Sequence, residues 1–347
     1  MSESENTGER KYSYQNAQES ILLPFYGRFV WEPLLEIIPR TLSPNAITLI
    51  STLCCFGSFV LAATGPDDPI ALVVAAILVF TYMTLDNIDG AQARRTGRSS
   101  RLGEFLDHWL DTFNNGWVVL GACLAAGLEP ILALGVLAAG TLAFLAVQLE
   151  LQTTGVFRMG RIGDVEGNTV VSLLYLLLAA TGPELFRAAP IPGLPPIAVW
   201  LGLAVAGQAL MTFASALRRT EGHRFDLLPC TLLFALLYLW ALHHDLSPFI
   251  YLTLGFFVNP ICTSRPVRDR VLGSPGPPTH WIALGLLFCG ALLDVVGLVQ
   301  GMVAGAALVG VYTSLCIYHF AAVTTALRRE AAMPTEQHPS LPGTGLS

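Results

Sequence analysis

The sequence predicts an all-α, polytopic integral membrane bundle of about ten transmembrane helices, preceded by an interfacial helix. Three observations predict it. Of the 347 residues, 53% are apolar and only 13% charged, against roughly 25% charged in an average soluble domain. Apolar stretches recur along nearly the whole chain, and a spanning helix needs about 20 such residues. With both termini on one side, only Arg187 of the 19 Lys and Arg residues falls on the far side. The same composition argues against an ordinary soluble enzyme and a disordered protein. A net charge of −6 argues against a nucleic-acid binder.

Residues 1–19 form a polar tail with no apolar core, so no cleavable signal is expected and the first span must direct insertion. Residues 20–40 mix Ile21, Leu22, Phe25, Phe29, Leu34 and Ile38 with Arg28, Glu32 and Glu36, which suits a helix lying in the membrane interface. Ten apolar stretches then run roughly over 46–63, 70–85, 104–126, 131–153, 169–181, 196–216, 227–242, 247–261, 281–299 and 302–326. Most breaks carry Pro or Gly, as in Gly65-Pro66 and Gly182-Pro183. Residues 41–216 are expected to form a catalytic core of spans 1–6, and residues 217–328 four additional spans. Residues 329–347 are Pro-rich and polar, the composition of a disordered tail. The basic bias places both termini, and the loops after spans 2, 4, 6 and 8, in the cytoplasm. The seven cysteines include no CxxC pair and read as small buried hydrophobes.

Carboxylates in membrane helices are costly and mark functional sites by default. Four occur together: Asp86 and Asp89 close span 2, and Asp107 and Asp111 open span 3. Spacings of three and four put each pair on one helix face. Antiparallel neighbours joined by a short loop would bring the faces together. Four carboxylates in one pocket repel unless cations separate them, and hard divalent ions suit an all-oxygen site. Two Mg²⁺ or Mn²⁺ ions bridged by carboxylates are a recurrent solution for phosphoryl displacement. Gly90 and Ala93 lie beside the first pair and would let a planar group approach the backbone. Arg94 comes next and could clamp a phosphate, whereas Arg95, Arg98 and Arg101 read as topology-setting loop residues. Gly103 stands one turn before Asp107. His108 and Glu104 are four apart on the flank of the same face. A carboxylate can orient an imidazole, which makes a general base; a structural histidine is the other reading, and the residues alone leave both open.

Taken together, residues 86–111 read D-x2-D-G-x2-A-R-x8-G-x3-D-x3-D. This pattern resembles the CDP-alcohol phosphatidyltransferase superfamily, with Asp86, Asp89, Gly90, Ala93, Arg94, Gly103, Asp107 and Asp111 at its fixed positions. The resemblance implies a membrane enzyme that moves a phosphoalcohol from a CDP-linked donor to an alcohol and releases CMP. Most of residues 12–328 is similar to one branch, the choline/ethanolamine phosphotransferases. Leu42-Ser43-Pro44-Asn45-Ala46-Ile47-Thr48-Leu49 looks like that branch's opening of the first span, and Gly103-Glu104-Phe105-Leu106-Asp107-His108 like its G-E-L-F-D-H. Gly155, Arg158, Gly160 and Glu166 resemble its loop after span 4. The resemblance implies that His108 accepts a proton with help from Glu104, and that Asn45 contacts the CDP donor. It implies CDP-ethanolamine or CDP-choline and diacylglycerol as partners, in the endoplasmic reticulum or Golgi of a eukaryote or the inner membrane of a bacterium. Trp109 stands where the branch has a small residue, and Gln148, near Glu150, where a late span-4 histidine is expected.

Two other functions compete. A superfamily enzyme using CDP-diacylglycerol and a soluble alcohol would need only about six spans. A cation transporter would place its acids near the bilayer midplane on interrupted helices, whereas these acids end helices on the cytoplasmic side. Glu166 and Arg158 could border the pocket or belong to a solvated loop. His243-His244-Asp245 reads as an interfacial turn and Asp294 as a bundle-facing polar contact. Gly301, Gly305 and Gly310 allow close helix contact, in a homodimer or equally inside the bundle.

Overall fold

The computed structural model describes residues 15–16, 19–220, 224–244 and 246–332. Most of the polar tail over 1–19, Asp245, and all but the start of the tail over 329–347 lie outside the described residues. The interfacial segment is helical: α1 (Leu23–Tyr26), a π turn (Gly27–Trp31) and α2 (Glu32–Ile37). Pro24 falls in the first turn of α1, where a missing N–H leaves no helical bond unmade, and Pro33 follows the π turn at the start of α2. One face of the segment, around buried Trp31, packs on Met83, Ile88 and Val165. Ile21, Phe25, Phe29 and Ile37 remain exposed, leaving an apolar face for lipid.

Ten longer helices come next among the described residues: α3 (Pro44–Thr64), α4 (Pro69–Thr96), α5 (Arg101–Ala125), α6 (Pro130–Thr154), α7 (Asp164–Thr181), α9 (Ile197–Arg219), α10 (Leu228–His243), α11 (Pro248–Leu272), α12 (Thr279–Val295) and α13 (Gly301–Ala332). A short α8 (Glu184–Arg187) lies between α7 and α9. The chain is thus an all-α polytopic integral membrane protein. A two-residue parallel pair, β1 (Gln15–Asn16) with β2 (Val156–Phe157), ties the segment before α1 to the loop after α6.

Helix starts have local causes. The Ser43 and Ser100 hydroxyls and the Asp68 carboxylate accept the first free N–H groups of α3, α5 and α4. Gly97 ends α4 in the left-handed conformation (φ 66°), with the Arg98 N–H bonded back to the Ala93 carbonyl. Several helices outrun the apolar stretches that announce them. α4 continues through Asp86 and Asp89 to Thr96, and α11 through Arg265 and Arg270 to Leu272. Hydropathy ends where polar side chains begin, but backbone hydrogen bonding does not.

Six helices are long and apolar enough to cross a membrane by length and composition: α3, α4, α6, α9, α10 with its preceding turn, and α13. The others are more polar or shorter, and two of them, α5 and α11, are enclosed. α11 packs against α5, α6, α10, α12 and α13. It is buried along most of its length despite Arg265, Arg268, Asp269 and Arg270. Small residues allow these close crossings. A β-carbon on Gly116 of α5 would lie 2.6 Å from the Phe256 ring of α11, and one on Gly255 of α11 2.6 Å from Leu134 of α6. α3 packs on both α4 and α5, so the two motif-bearing helices flank it and make few close backbone approaches to each other.

Candidate functional site

The gap between α4 and α5 is where the acidic side chains meet. Carboxylate oxygens of Asp86, Asp107 and Asp111 all lie within 4.8 Å of one another. Asp86 Oδ1 is buried and has no hydrogen-bond partner. A buried, unpartnered carboxylate oxygen facing two more carboxylates is electrostatically unfavourable while all three are ionised, and either a proton or a bound cation relieves it. The oxygen-only donor set fits a hard divalent ion. Asp89, one turn after Asp86, is also buried, and its Oδ2 accepts a 2.5 Å hydrogen bond from Thr48 of α3.

Three further residues complete these surroundings, and none of them was a candidate site residue in the sequence, although Thr48 lies in the stretch that opens the first span. Asn114 Nδ2 donates to Asp111 Oδ1 (3.4 Å) and to Thr52 Oγ1 (3.5 Å). Asp164, the first residue of α7, interacts electrostatically with Asp86, Asp107 and Asp111, and its Oδ1 is buried without a hydrogen bond. Thr48 is the donor to Asp89. Asn114 and Thr48 had a signal available, each lying three residues beyond a motif residue on the same helix face. Asp164 had none, because it reaches the cluster only through tertiary packing.

His108 is buried beside this cluster, its Nδ1 3.3 Å from the Gln148 amide nitrogen and its ring against Phe157. Glu104 directs its carboxylate to Arg270 of α11 (2.7 Å), whose guanidinium also donates to the Leu151 carbonyl (3.1 Å). Glu104, the side chain expected to orient His108, thus has an arginine partner on α11, and Gln148 on α6 contacts the imidazole. Asn45 packs against Gly103: a β-carbon on that glycine would lie 3.2 Å from Asn45 Oδ1. The start of α3 and the start of α5 thus meet closely at Gly103. Arg94 is exposed at the end of α4, with its guanidinium over Gly90, and Ala93 is half-buried beside it.

The remaining polar candidates hold helices to one another. Arg95 donates to the carbonyls of Leu35 and Ile38 and to Gln92, while Gln92 donates to those of Pro39 (3.0 Å) and Leu42 (2.7 Å). These contacts clamp the interfacial segment to α4. Arg101 bonds the Val271 carbonyl on α11. Glu166 accepts from Ser20 Oγ (2.6 Å) and the Leu22 (3.0 Å) and Gly163 (2.9 Å) N–H groups, so it caps α7 and anchors the segment before α1. Glu150, fully buried, pairs with Arg219 (2.6 Å) and Arg158 (3.1 Å). Asp294 accepts from Trp240 Nε1 (2.8 Å) and lies 3.1 Å from His244 Nδ1.

A helical membrane bundle that brings half-buried carboxylates together between two of its helices, beside a histidine and an exposed arginine, defines a class: polytopic membrane proteins with a polyacidic centre able to hold a metal ion. Residues 41–214, from the start of α3 into α9, match the CDP-alcohol phosphatidyltransferase family model, and the chain belongs to this family. It is 34% identical over 180 residues to cholinephosphotransferase 1 of Gallus gallus, covering 50% of this chain and 53% of that protein. It is 34% identical over 203 residues to CDP-diacylglycerol–serine O-phosphatidyltransferase of Encephalitozoon cuniculi, covering 54% and 50%. It is 27% identical over 290 residues to an uncharacterized class-I family protein of Dictyostelium discoideum, covering 78% and 70%. The chain thus spans about half the length of most of the curated relatives it matches.

Proposed function

We propose that the chain transfers phosphoethanolamine or phosphocholine from the CDP-linked alcohol to diacylglycerol, forming phosphatidylethanolamine or phosphatidylcholine and releasing CMP. The observation that carries this reading is the convergence of Asp86, Asp107 and Asp111 on the two helices bearing the D-x2-D-G-x2-A-R and G-x3-D-x3-D segments. The likeness to cholinephosphotransferases supports the choice of donor.

Asp86, Asp89, Asp107 and Asp111 would hold two Mg²⁺ or Mn²⁺ ions, which when bound neutralise the diphosphate and the charge that develops on the departing CMP. The chain's own residues do the rest. Arg94, free to reach outward from the end of α4, binds a phosphate oxygen. Gly90 and Ala93 leave the backbone open to the nucleotide, and Asn45 positions it from the start of α3. Diacylglycerol enters sideways from the bilayer. His108 takes the proton from its free hydroxyl, and that oxygen attacks the phosphorus nearer the amino alcohol as the bond to CMP breaks. Gln148 touches the imidazole directly, and Glu104 flanks it from one turn earlier on α5. Burying these groups holds them in place before the reaction, which is where most catalysis of this kind originates. By the basic bias of the connections, the site and both termini face the cytoplasm.

A second reading has its own support. The match to the serine enzyme covers as much of this chain as the cholinephosphotransferase match. There the lipid would be carried by the donor, and a soluble alcohol would attack. Purified protein supplied with labelled CDP-choline or CDP-ethanolamine and diacylglycerol, or with CDP-diacylglycerol and serine, inositol or glycerol phosphate, separates the two. Labelled lipid from the first set supports the proposal. Product from the second set alone replaces it with the second reading, and cation flux without product overturns both.

A further inference from the structure

A separate polar cavity of about 240 Å³ lies among the ends of α6, α11 and α12 and the Arg224–Leu227 turn before α10. Gln152, Asp226, Arg265, Asp269, Ser274 and His280 supply its polar lining. Arg265 and Asp269, four residues apart, share one face of α11, whereas Arg270 turns towards α5 to meet Glu104. The cavity therefore sits on a different side of α11 from the aspartate cluster, and a ligand there is independent of the reaction assigned to that cluster.

His280 points to a ligand. It lines the cavity, is only 3% exposed, and neither ring nitrogen has a hydrogen-bond partner. A neutral imidazole offers one donor and one acceptor, and leaving both unmade in a buried site is unfavourable. The charged lining shows what would satisfy it. Arg265 is shared between Asp226 (2.9 Å) and Asp269 (3.5 Å), so positive and negative groups stand side by side. Pro266 offers no N–H to the carbonyl of Cys262, another lining residue, which adds an acceptor that the helix itself leaves open. Basic pockets between membrane helices select anionic head groups. This one is mixed in sign, with Asp269 also facing Arg268 (3.5 Å) and accepting from the Gly276 N–H (2.7 Å), which suits a group carrying both a phosphate and an ammonium. Its volume lies below the roughly 300–1,000 Å³ of pockets for drug-sized ligands, so a head group fits better than a nucleotide. Charged residues at the end of α11 bring the cavity to the level where lipid head groups lie.

We propose that this cavity binds a zwitterionic amino-alcohol phosphate group, with the phosphate on Arg265 and His280 and the ammonium towards Asp226 and Asp269. The group can come from a membrane phospholipid or from a free phosphoester. The test uses the full chain, delipidated in detergent with EDTA present, titrated with dihexanoyl phosphatidylethanolamine, dihexanoyl phosphatidylglycerol and free phosphoethanolamine, and read by native mass spectrometry. We expect one saturable phosphatidylethanolamine per chain, at least tenfold weaker binding of phosphatidylglycerol, and the same behaviour in Asp107→Asn. His280→Phe should weaken binding at least tenfold while keeping the melting temperature, because no protein hydrogen bond is lost and a ring is retained beside Trp281. If His280→Phe is unstable, Ser274→Trp, which plugs the exposed rim, should weaken binding to the same degree. Tight binding of the lipid alone assigns the membrane as the source, and comparable binding of free phosphoethanolamine assigns the soluble ester. Unchanged binding in both cavity variants, equal binding of phosphatidylglycerol, absence of saturable binding, or loss of binding in Asp107→Asn would overturn the proposal.

Discussion

His108 and Asp107 are neighbours in sequence but do different work in the proposed reaction, and single substitutions should separate them. His108→Ala removes the proton acceptor without touching a carboxylate. Donor binding, measured by calorimetry, should persist while turnover falls by about 10²–10⁴-fold, the usual worth of a general base. Unchanged turnover would remove His108 from that role. Asp107→Asn keeps the shape but removes one negative charge from a cluster whose oxygens lie within 4.8 Å. It should abolish activity dependent on added Mg²⁺ or Mn²⁺, and full activity would contradict the cation assignment. At this scale much of the candidate site is readable from spacing, because intervals of three and four residues place Asp86 with Asp89, and Asp107 with Asp111, on single helix faces. The partners of those residues are not. Glu104 is positioned by spacing to meet His108, yet a guanidinium from α11 offers a charge-assisted bond that the local sequence does not contain.

Between elements, two kinds of contact hold the bundle: small residues at crossings and buried ion pairs at helix ends. Gly116→Ala would drive a methyl group into the Phe256 ring, which Phe113 and Trp117 confine from other sides. Overpacking of this kind costs about 1–3 kcal/mol, and a lowered melting temperature in a thermal-shift assay should show it. Glu150 ties the end of α6 to Arg219 of α9 and to Arg158 of the following loop. Breaking a fully buried pair costs about 3–5 kcal/mol. Here the arginines are 37% and 40% exposed and can rehydrate, so Glu150→Ala should destabilise by about 1–3 kcal/mol. Equal melting temperatures would show that solvent replaces the carboxylate fully. The loop arginines have a similar double role. Arg95 and Arg101 read as topology markers, yet each reaches carbonyls of another segment, Arg95 on the interfacial helix and Arg101 on α11. A charge count registers their sign but not their reach.

For the whole molecule, the even number of long helices and the one-sided basic residues make a joint prediction about orientation. Single cysteines placed at Thr96 and at exposed Ser274, in a chain otherwise free of cysteine, should react with a membrane-impermeant thiol reagent only from the cytoplasmic side. One placed at Ala189, beside Arg187, should react only from the opposite side. Reaction of all three from one face would break the assignment. Composition and stretch length were sufficient for the class of architecture, because a bilayer lets a chain this apolar satisfy its backbone only as helices or a closed barrel, and its stretches are helix-length. Helix number could be read for the same reason, while helix ends could not: α4 and α11 continue past their apolar stretches because neighbouring helices enclose their polar turns.

The chain on its own determined that it folds as a bundle in lipid, roughly where its helices lie, and which aspartates pair on one face, since all of these derive from composition and helical periodicity. Tertiary structure alone decided that α3 stands between the two acidic helices, that Asp164 and Thr48 join the carboxylates, that Gln148 meets His108, and that a second polar cavity opens beside α11. The reason is one of distance along the chain: these contacts join segments that no local repeat relates, and only the packing of the bundle brings them within reach of one another.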